Sequence, residues 1–400
     1  MTYDFTTIHK RFHTGSGKWN DLLQYGYSED TDIIPFSVAD MEFTTAPEIV
    51  DAIKHALDST VLGYANPTPE YLEAVCSWMH TRQLWDANPE WLLNTHGVVD
   101  AFFAAVRAFT HEGDGVMLMT PVYYPMYMAI DFTHRKLVDC PLINTGTSYS
   151  IDFPEFERMA SDPNTKMLIL CSPHNPTGRV WTREELTRIG DICLKNHVLV
   201  VSDEIHSDLI MPGHTHTVFA GICDDFAENS VILTAPSKTF NIAGLQTSNI
   251  FIPNDELRAK YFAELRCSNP NPKCNILGYV AAEAAYRHCG MWLDECLKVI
   301  DRNRKIIADF MAEEFPQVKM HELEGTYLVW LDLTGLGIGF RELERLNREE
   351  AGLFFDEGYI FGKQGECFER WNIACPERYI REALARMKKV YNKHVNVHGV

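Results

Sequence analysis

The chain has 400 residues, 46% of them hydrophobic, and a formal net charge of −19 at pH 7. This length exceeds one comfortable hydrophobic core and predicts two lobes, while the acidic balance argues against a nucleic-acid surface, because phosphate backbones require basic patches. No stretch approaches the roughly 20 apolar residues of a membrane span, and we see no secretory signal, so we expect a cytoplasmic protein. Eleven cysteines without CxxC spacing indicate reduced, mostly buried thiols and no metal site.

Short apolar strands alternate with helical patterns through the middle of the chain. The predicted strands are Val116–Thr120, Met167–Cys171, Val198–Asp203, Val231–Thr234 and Asn249–Ile252. The predicted helices between them include Asp100–Thr110, Arg183–Asn196 and Asp255–Arg266. This alternation is typical of an α/β protein with a mostly parallel central sheet and helices on both faces.

The pattern changes after Gly290. A long helix is predicted at Trp292–Phe315, a strand at Thr326–Leu333 and a charged final helix from Glu377. We therefore expect a large domain over residues 46–290 and a smaller α+β domain over residues 291–400.

Three polar side chains follow predicted strands. Asn175 lies in the loop after Met167–Cys171, Asp203 ends the next strand, and Lys238 follows Val231–Thr234. Ligands of parallel sheets bind at the carboxyl ends of the strands, where all three fall. A lysine that forms a Schiff base needs a low-dielectric pocket, and a pyridine-containing partner needs an acid at its ring nitrogen. Each residue alone would more often be a solvated lysine or a loop cap, but their shared position indicates one site.

These segments resemble those of the fold-type I pyridoxal 5'-phosphate (PLP) enzymes, the aminotransferase-like superfamily. Within it the chain resembles the MalY/PatB group of cystathionine β-lyase-type C–S lyases. The motifs that carry this narrower resemblance are Val38–Phe43, Asp203–His206 and Ser237–Gln246. The resemblance implies a mostly parallel α/β fold with a smaller α+β domain, and an N-terminal segment, 1–45, that packs with the small domain.

The resemblance also implies how PLP is held. Lys238 is the lysine that binds the cofactor, Asp203 lies against the pyridine nitrogen, and Tyr123 stacks on the ring; Lys238 and Tyr123 are the expected catalytic residues. An aromatic residue at a strand end is otherwise usually a packing residue, and Tyr124 is the second choice for the stacking role.

The phosphate of PLP is expected at a glycine turn that feeds a helix. Backbone N–H groups and the helix dipole at Gly97, Val98 and Val99 form an anion site without a basic side chain, although an ordinary helix start capped by Thr95 would look the same. Ser237 matches a further phosphate ligand. Tyr64 matches a tyrosine that reaches the phosphate of the neighbouring subunit, which implies a homodimer with shared active sites; a core tyrosine is the alternative.

The resemblance implies that Arg370 binds the substrate α-carboxylate, for which a planar guanidinium is the best partner. The apolar residues around Arg370 favour a buried strand, and a surface arginine beside Glu369 is the alternative. Asn175 is expected to donate to the phenolic oxygen of PLP and to contact the substrate. Ala39 matches a loop at the substrate entrance.

Three positions depart from the broader aminotransferase pattern. His206 stands where those enzymes usually carry a tyrosine on the cofactor's phenolic oxygen, Ala235 replaces a common serine, and Gln246 replaces an arginine that often binds phosphate. His206 and Gln246 fit the MalY/PatB group, and Ala235 has no explanation. We expect His206 to contact the cofactor, and a structural histidine bonded to a carbonyl is the alternative.

The function implied is a PLP-dependent C–S β-lyase that cleaves L-cystathionine or cysteine S-conjugates to a thiol, pyruvate and ammonia. An aminotransferase on the same scaffold would use the same residues. A third hypothesis is a regulatory binding role, since MalY-like members can restrain a transcriptional activator; no surface patch for this role is readable in the sequence.

Overall fold

The computed structural model describes residues 2–395 and has an α/β architecture. In this range the strands are β1 (Ile34–Pro35), β2 (Leu92–Thr95), β3 (Gly115–Thr120), β4 (Lys136–Pro141), β5 (Ile143–Asn144), β6 (Tyr149–Ser150), β7 (Thr165–Cys171), β8 (Leu199–Asp203), β9 (Ser230–Thr234), β10 (Ser248–Phe251), β11 (Lys319–Met320), β12 (Leu328–Asp332), β13 (Leu353–Phe354), β14 (Asp356–Glu357) and β15 (Phe368–Asn372). The α-helices are α1 (Gly17–Gln24), α2 (Pro47–Ser59), α3 (Pro69–Gln83), α4 (Val98–Phe109), α5 (Tyr124–Asp131), α6 (Phe153–Ala160), α7 (Arg183–Lys195), α8 (Asp224–Glu228), α9 (Pro236–Thr239), α10 (Asp255–Ser268), α11 (Ile276–His288), α12 (Gly290–Glu314), α13 (Phe340–Arg345) and α14 (Glu377–Val395). Met1 and residues 396–400, the end of the predicted small domain, lie outside the described residues.

The central sheet has seven strands in the order β2-β10-β9-β8-β7-β3-β4 within the described range. The pairs from β9 to β4 are parallel, whereas β10 is antiparallel to both β9 and β2. The prediction of a mostly parallel sheet is confirmed. The two edge strands were not predicted, and β4 shows why: its side chains are mostly exposed, so it lacks a continuous apolar run.

The inner strands are apolar along their whole length because both faces of the sheet are covered. In β7, Leu168 and Leu170 face one hydrophobic cluster, while Met167, Ile169 and Cys171 face another. Successive side chains of a strand point to opposite faces, which produces this division. Helices α6 and α7 pack into the first cluster, and α4 and α10 pack into the second.

A second sheet has the antiparallel order β11-β12-β15-β14. It packs against α12 and α14 in a cluster that also contains Phe36 and Met41 from the start of the chain. The N-terminal segment contributes β1, which pairs in parallel with β13 through Ile34 and Leu353. The domain limits at residues 45 and 290 stay a prediction. No helix within residues 2–395 is long and apolar enough to cross a membrane.

The pairing of β14 with β15 places two charged pairs side by side. Asp356 lies opposite Arg370, and Glu357 lies opposite Glu369. The second pair is buried, and burial raises the pKa of both glutamates. The neighbouring carboxyl of Glu357 raises the pKa of Glu369 further. Glu357 has an ion pair with Arg348 at 2.5 Å, whereas Oε2 of Glu369 has no hydrogen-bond partner among the described residues. Burial therefore favours the protonated form of Glu369.

We predict that Glu369→Gln stabilises the protein at alkaline pH. A carboxyl with a raised folded-state pKa stabilises most below its ordinary pKa of about 4.3, and this contribution is lost as the pH rises. The amide cannot ionise, so the variant's free energy of unfolding at pH 8 should exceed that of the wild type by about 1–2 kcal/mol, with a smaller difference at pH 5. Urea denaturation at both pH values measures the effect. The exposed Glu349→Gln is the control, and parallel pH curves for Glu369→Gln and the wild type would contradict the prediction.

Candidate active site

A cavity of about 280 Å³ lies at the carboxyl ends of β7, β8 and β9. Ten of the twelve predicted site residues line it. These are Ala39, Gly97, Val98, Val99, Tyr123, Asn175, Asp203, His206, Ser237 and Lys238. The two predicted residues outside the lining are Tyr64 and Arg370.

Strand register brings the polar residues together. Cys171 at the end of β7 pairs with Asp203 at the end of β8, and Asp203 pairs with Leu233 of β9. Lys238 lies on the one-turn helix α9, which begins directly after β9. Because these parallel strands end at the same level, Asp203 and the loops after β7 and β9 meet at one cavity.

Asp203 is a buried acid. Burial raises its pKa to about 7, because a carboxylate loses its hydration in the cavity. The backbone N–H of Ile205 donates to Oδ1 of Asp203 at 3.2 Å, which opposes the rise. A cationic ring nitrogen bound beside this carboxyl would favour its ionised form.

The Lys238 side chain is half-buried, and its amine lies inside the cavity. Burial lowers its pKa to about 8, reinforced by the positive charge of Arg370 and opposed by Asp40. Its Nζ donates to the carbonyl oxygen of Ala39 at 2.7 Å. A lowered pKa increases the neutral fraction of the amine, which is the nucleophilic and basic form.

The start of α4 forms the anion-binding end of the cavity. Gly97 precedes the helix with φ of +101°, a backbone conformation that favours glycine, and no side chain caps the helix at this residue. The hydroxyl of Thr95 donates to the carbonyl of Gly97 at 3.0 Å, and no side chain caps the first turn of α4. The capped-helix alternative is therefore wrong, and the N–H groups of Val98 and Val99 are available to an anion.

His206 and Tyr123 contribute aromatic rings to the cavity. Burial lowers the pKa of His206 well below its usual range, so the ring is neutral. Its Nδ1 is buried and has no hydrogen-bond partner among the described residues, so the alternative in which a carbonyl satisfies that nitrogen is not observed. Tyr123 lines the cavity, whereas Tyr124, whose ring centroid is 5.4 Å away, does not and is 40% exposed. This arrangement favours Tyr123 over Tyr124 for ring stacking.

Arg370 lies next to the cavity, on strand β15. Its Nη1 donates to Oδ1 of Asn175 at 3.0 Å, and its guanidinium lies 4.6 Å from the centre of the Phe361 ring. Arg370 is buried, so the alternative of a surface arginine beside Glu369 is wrong. Its Nη2 forms an ion pair with Asp356, a residue that sequence reasoning missed.

Tyr64 does not reach the cavity of its own chain. Its side chain is 99% exposed, in a segment that also exposes Val61 and Leu62. The core-tyrosine alternative is wrong. Its expected role toward a neighbouring subunit stays a prediction.

The loop Val38–Phe43, called here the 38–43 loop, is held by side chains that the sequence prediction also missed. The carbonyl of Ala39 accepts from the hydroxyl of Tyr327 at 2.8 Å as well as from Lys238. Nδ2 of Asn372 donates to the carbonyls of Val38 and Asp40, each at 2.7 Å. A polar asparagine at the end of the buried strand β15 was a usable signal. No signal in the sequence indicated the role of Tyr327.

The 38–43 loop is also anchored by a buried ion cluster. Lys18, 1% exposed, contacts carboxylate oxygens of Asp40 and Glu42 at 2.9 Å each. Arg11 adds ion pairs to the same two carboxylates at 3.1 and 2.6 Å. Because removing one member of a buried ion pair leaves an uncompensated charge, these contacts hold the loop firmly.

Comparison with known proteins identifies the family. The family model for aminotransferase class I and II matches residues 31–387. The chain belongs to this family. The family members similar to it include cystathionine β-lyase PatB of Bacillus subtilis, 42% identical over 96% of this chain and 99% of that protein. Protein MalY of Escherichia coli is 31% identical over 96% of this chain and 97% of that protein.

Solved structures in the aminotransferase class I and II fold extend the comparison. Cystalysin from Treponema denticola, which contains PLP, matches with a TM-score of 0.95 and 47% identity over 98% of this chain and all of that one. The PLP-bound C–S lyase from Staphylococcus hominis matches with a TM-score of 0.90 and 33% identity over 98% of each chain. The chain and these enzymes therefore share their architecture over nearly their whole length.

We predict that the Lys238 amine reacts at lower pH than an exposed lysine. Its pKa of about 8 implies that half of it is neutral near pH 8, whereas lysines in water titrate near about 10.4. Protein freed of any bound cofactor is treated with trace acetic anhydride between pH 6 and 11, and peptide mass mapping gives the rate at each lysine. Lys54, whose side chain is 68% exposed, is the internal reference. A Lys238 midpoint equal to that of Lys54 would contradict the prediction.

Proposed function

We propose that this protein is a PLP-dependent C–S β-lyase that converts L-cystathionine or a cysteine S-conjugate, with water, to a thiol, pyruvate and ammonia. The observation that carries the proposal is the buried Lys238 amine and the buried Asp203 carboxyl in one cavity of a chain 42% identical to a cystathionine β-lyase. We place it in the cytoplasm, in keeping with its eleven free thiols.

The cavity fits PLP in each chemical group. The unpartnered Nδ1 of His206 is a buried polar atom that a ligand oxygen can satisfy, and the free start of α4 suits a phosphate. The residues that would hold the cofactor are Lys238 at the aldehyde carbon, Asp203 at the ring nitrogen, Tyr123 at the ring face, Asn175 and His206 at the phenolic oxygen, and Gly97, Val98, Val99 and Ser237 at the phosphate. When bound, PLP supplies an electron-accepting ring that stabilises negative charge at the substrate Cα.

Substrate orientation comes from the arginine side of the cavity. Arg370 binds the α-carboxylate of the amino acid, and the hydrogen bond from its Nη1 to Asn175 keeps the guanidinium directed to the cavity edge. Ala39 forms the wall between this edge and Lys238. When the carboxylate of the substrate is held in place, the Cα–H bond can adopt only a few orientations.

Lys238 moves the proton. Its neutral Nζ accepts the Cα proton as general base, a role for which a pKa of about 8 is suited. The Cβ–S bond then breaks, its electron pair leaves with sulfur, and the protonated Lys238 is a nearby donor to the departing thiolate. Asp203 would supply the carboxylate that pairs with a protonated ring nitrogen.

We further propose that the active enzyme is a homodimer in which Tyr64 of each subunit completes the phosphate site of the other. The exposed apolar side chains of Val61, Leu62 and Tyr64 support this proposal, because an exposed apolar segment of this kind usually marks an interface.

We predict that PLP-loaded protein, supplied with L-cystathionine or S-methyl-L-cysteine and no keto acid, releases pyruvate and thiol in equal amounts. Lys238→Ala should lower the rate by at least about 1,000-fold, since both the base and the PLP anchor are lost. Coupled assays for pyruvate and thiol on the same sample measure the reaction, and Lys54→Ala is the control. Substrate consumption only after addition of a keto acid, with the amino group transferred to that acid and no thiol released, would instead establish an aminotransferase.

A second prediction tests the shared site. Tyr64→Ala should bind PLP less tightly, and mixing it with Lys238→Ala should restore activity. In a mixed dimer the Tyr64→Ala subunit keeps its own Lys238 and receives Tyr64 from its partner, so one site is complete. Equal mixing yields about half mixed dimers, and activity should approach about a quarter of the wild type. Lyase rate after denaturation and joint refolding measures this, and a mixture no more active than its parts would exclude the shared site.

A further inference from the structure

Asp356 is an acid that contacts both the carboxylate-binding arginine and the 38–43 loop. It lies on β14 directly opposite Arg370 on β15. Its Oδ2 forms the ion pair with Nη2 of Arg370 and also accepts the backbone N–H of Val38 at 3.0 Å. One oxygen atom therefore joins the strand that carries the arginine to the loop that carries Ala39.

The other contacts of Arg370 leave donors for a ligand. A guanidinium has five N–H donors, of which Nη1 gives one to Asn175 and Nη2 gives one to Asp356. The Phe361 ring covers one face of the guanidinium, and Nε has no hydrogen-bond partner among the described residues. Asp356 and Asn175 thus fix the plane of the guanidinium from its two terminal nitrogens.

An aspartate at this position has an electrostatic cost for substrate binding. Asp356 offsets much of the positive charge of Arg370, which weakens the attraction of the site for any carboxylate. A neutral acceptor would align the arginine without this cost. The negative charge of Asp356 also acts after the reaction. The ketoacid product of the proposed lyase carries a carboxylate and has to leave the site, and weaker binding of carboxylates assists its release.

We propose that Asp356 is a positioning residue that aligns Arg370 with the 38–43 loop and lowers the affinity of the site for carboxylates. Alignment orients the Cα–H bond toward Lys238, whose Nζ contacts the Ala39 carbonyl of the same loop. The lowered affinity assists release of the carboxylate product. This inference rests on the proposed function, in which Arg370 binds the substrate carboxylate.

Two substitutions separate alignment from charge. Asp356→Asn keeps an oxygen that accepts both hydrogen bonds but removes the charge; it should keep kcat within about threefold and bind L-alanine at least about threefold more tightly. Asp356→Ala loses both contacts and should lower kcat by about 10- to 100-fold, because misalignment of a reacting group has effects of this size. L-alanine, which has no β leaving group, is titrated by the absorption spectrum of the bound cofactor, and kcat comes from the pyruvate assay.

The controls use a matched pair and the arginine itself. Asp32→Asn makes the same change in an Asp–Arg pair, with Arg386, whose aspartate is exposed, and it should alter neither quantity. Arg370→Gln should weaken L-alanine binding; no weakening would overturn the inference. Asp356→Asn that binds L-alanine no more tightly than the wild type would also overturn it, even where Asp356→Ala fails to fold. If the wild type binds L-alanine through Arg370 but releases no pyruvate from L-cystathionine, the proposed activity fails and the L-alanine titrations still decide the role of Asp356.

Discussion

The removal of Lys238 and Asp203 from water is the constraint on which the rest of the site depends. A buried amine and a buried carboxyl each favour their neutral forms, so the pKa of Lys238 falls to about 8 and that of Asp203 rises to about 7. The two effects have one cause, the position of the cavity at the carboxyl ends of strands covered on both faces. The fold therefore provides an amine with an increased neutral fraction and a carboxyl that a neighbouring cation would ionise.

The exclusion of water from the cavity also explains how the proposed site of an acidic protein binds anions. With a net charge of −19, the surface cannot attract a phosphate or an amino-acid carboxylate by its overall field. In the proposed function the site relies instead on local donors, the backbone N–H groups at the start of α4 and the guanidinium of Arg370. Such donors act strongly where the dielectric constant is low. The donors of α4 are aimed by the backbone, and the guanidinium of Arg370 is held by Asn175 and Asp356.

The sequence identified most of the cavity because its polar residues directly follow apolar strands. Asn175, Asp203 and Lys238 could be predicted from that position alone, and the strand register then placed them together. Asp356 could not, since it belongs to a two-residue strand with no periodic pattern, and its meaning depends on pairing with β15. The role proposed for Tyr64, contact with the phosphate site of a neighbouring subunit, requires a second chain. Neither the sequence pattern nor a single subunit can therefore establish it.

In the proposed mechanism, the 38–43 loop stays in place while the neighbouring amine of Lys238 reacts. The carbonyl of Ala39 accepts from both Lys238 and Tyr327, so Tyr327 still holds it when Lys238 turns to another partner. Asn372 and the buried Lys18 cluster hold the rest of the loop independently of Lys238. Redundant contacts of this kind make the position of the 38–43 loop independent of the position of the Lys238 amine. In the mechanism that we propose, Lys238 can therefore move a proton without displacing the loop that borders the substrate.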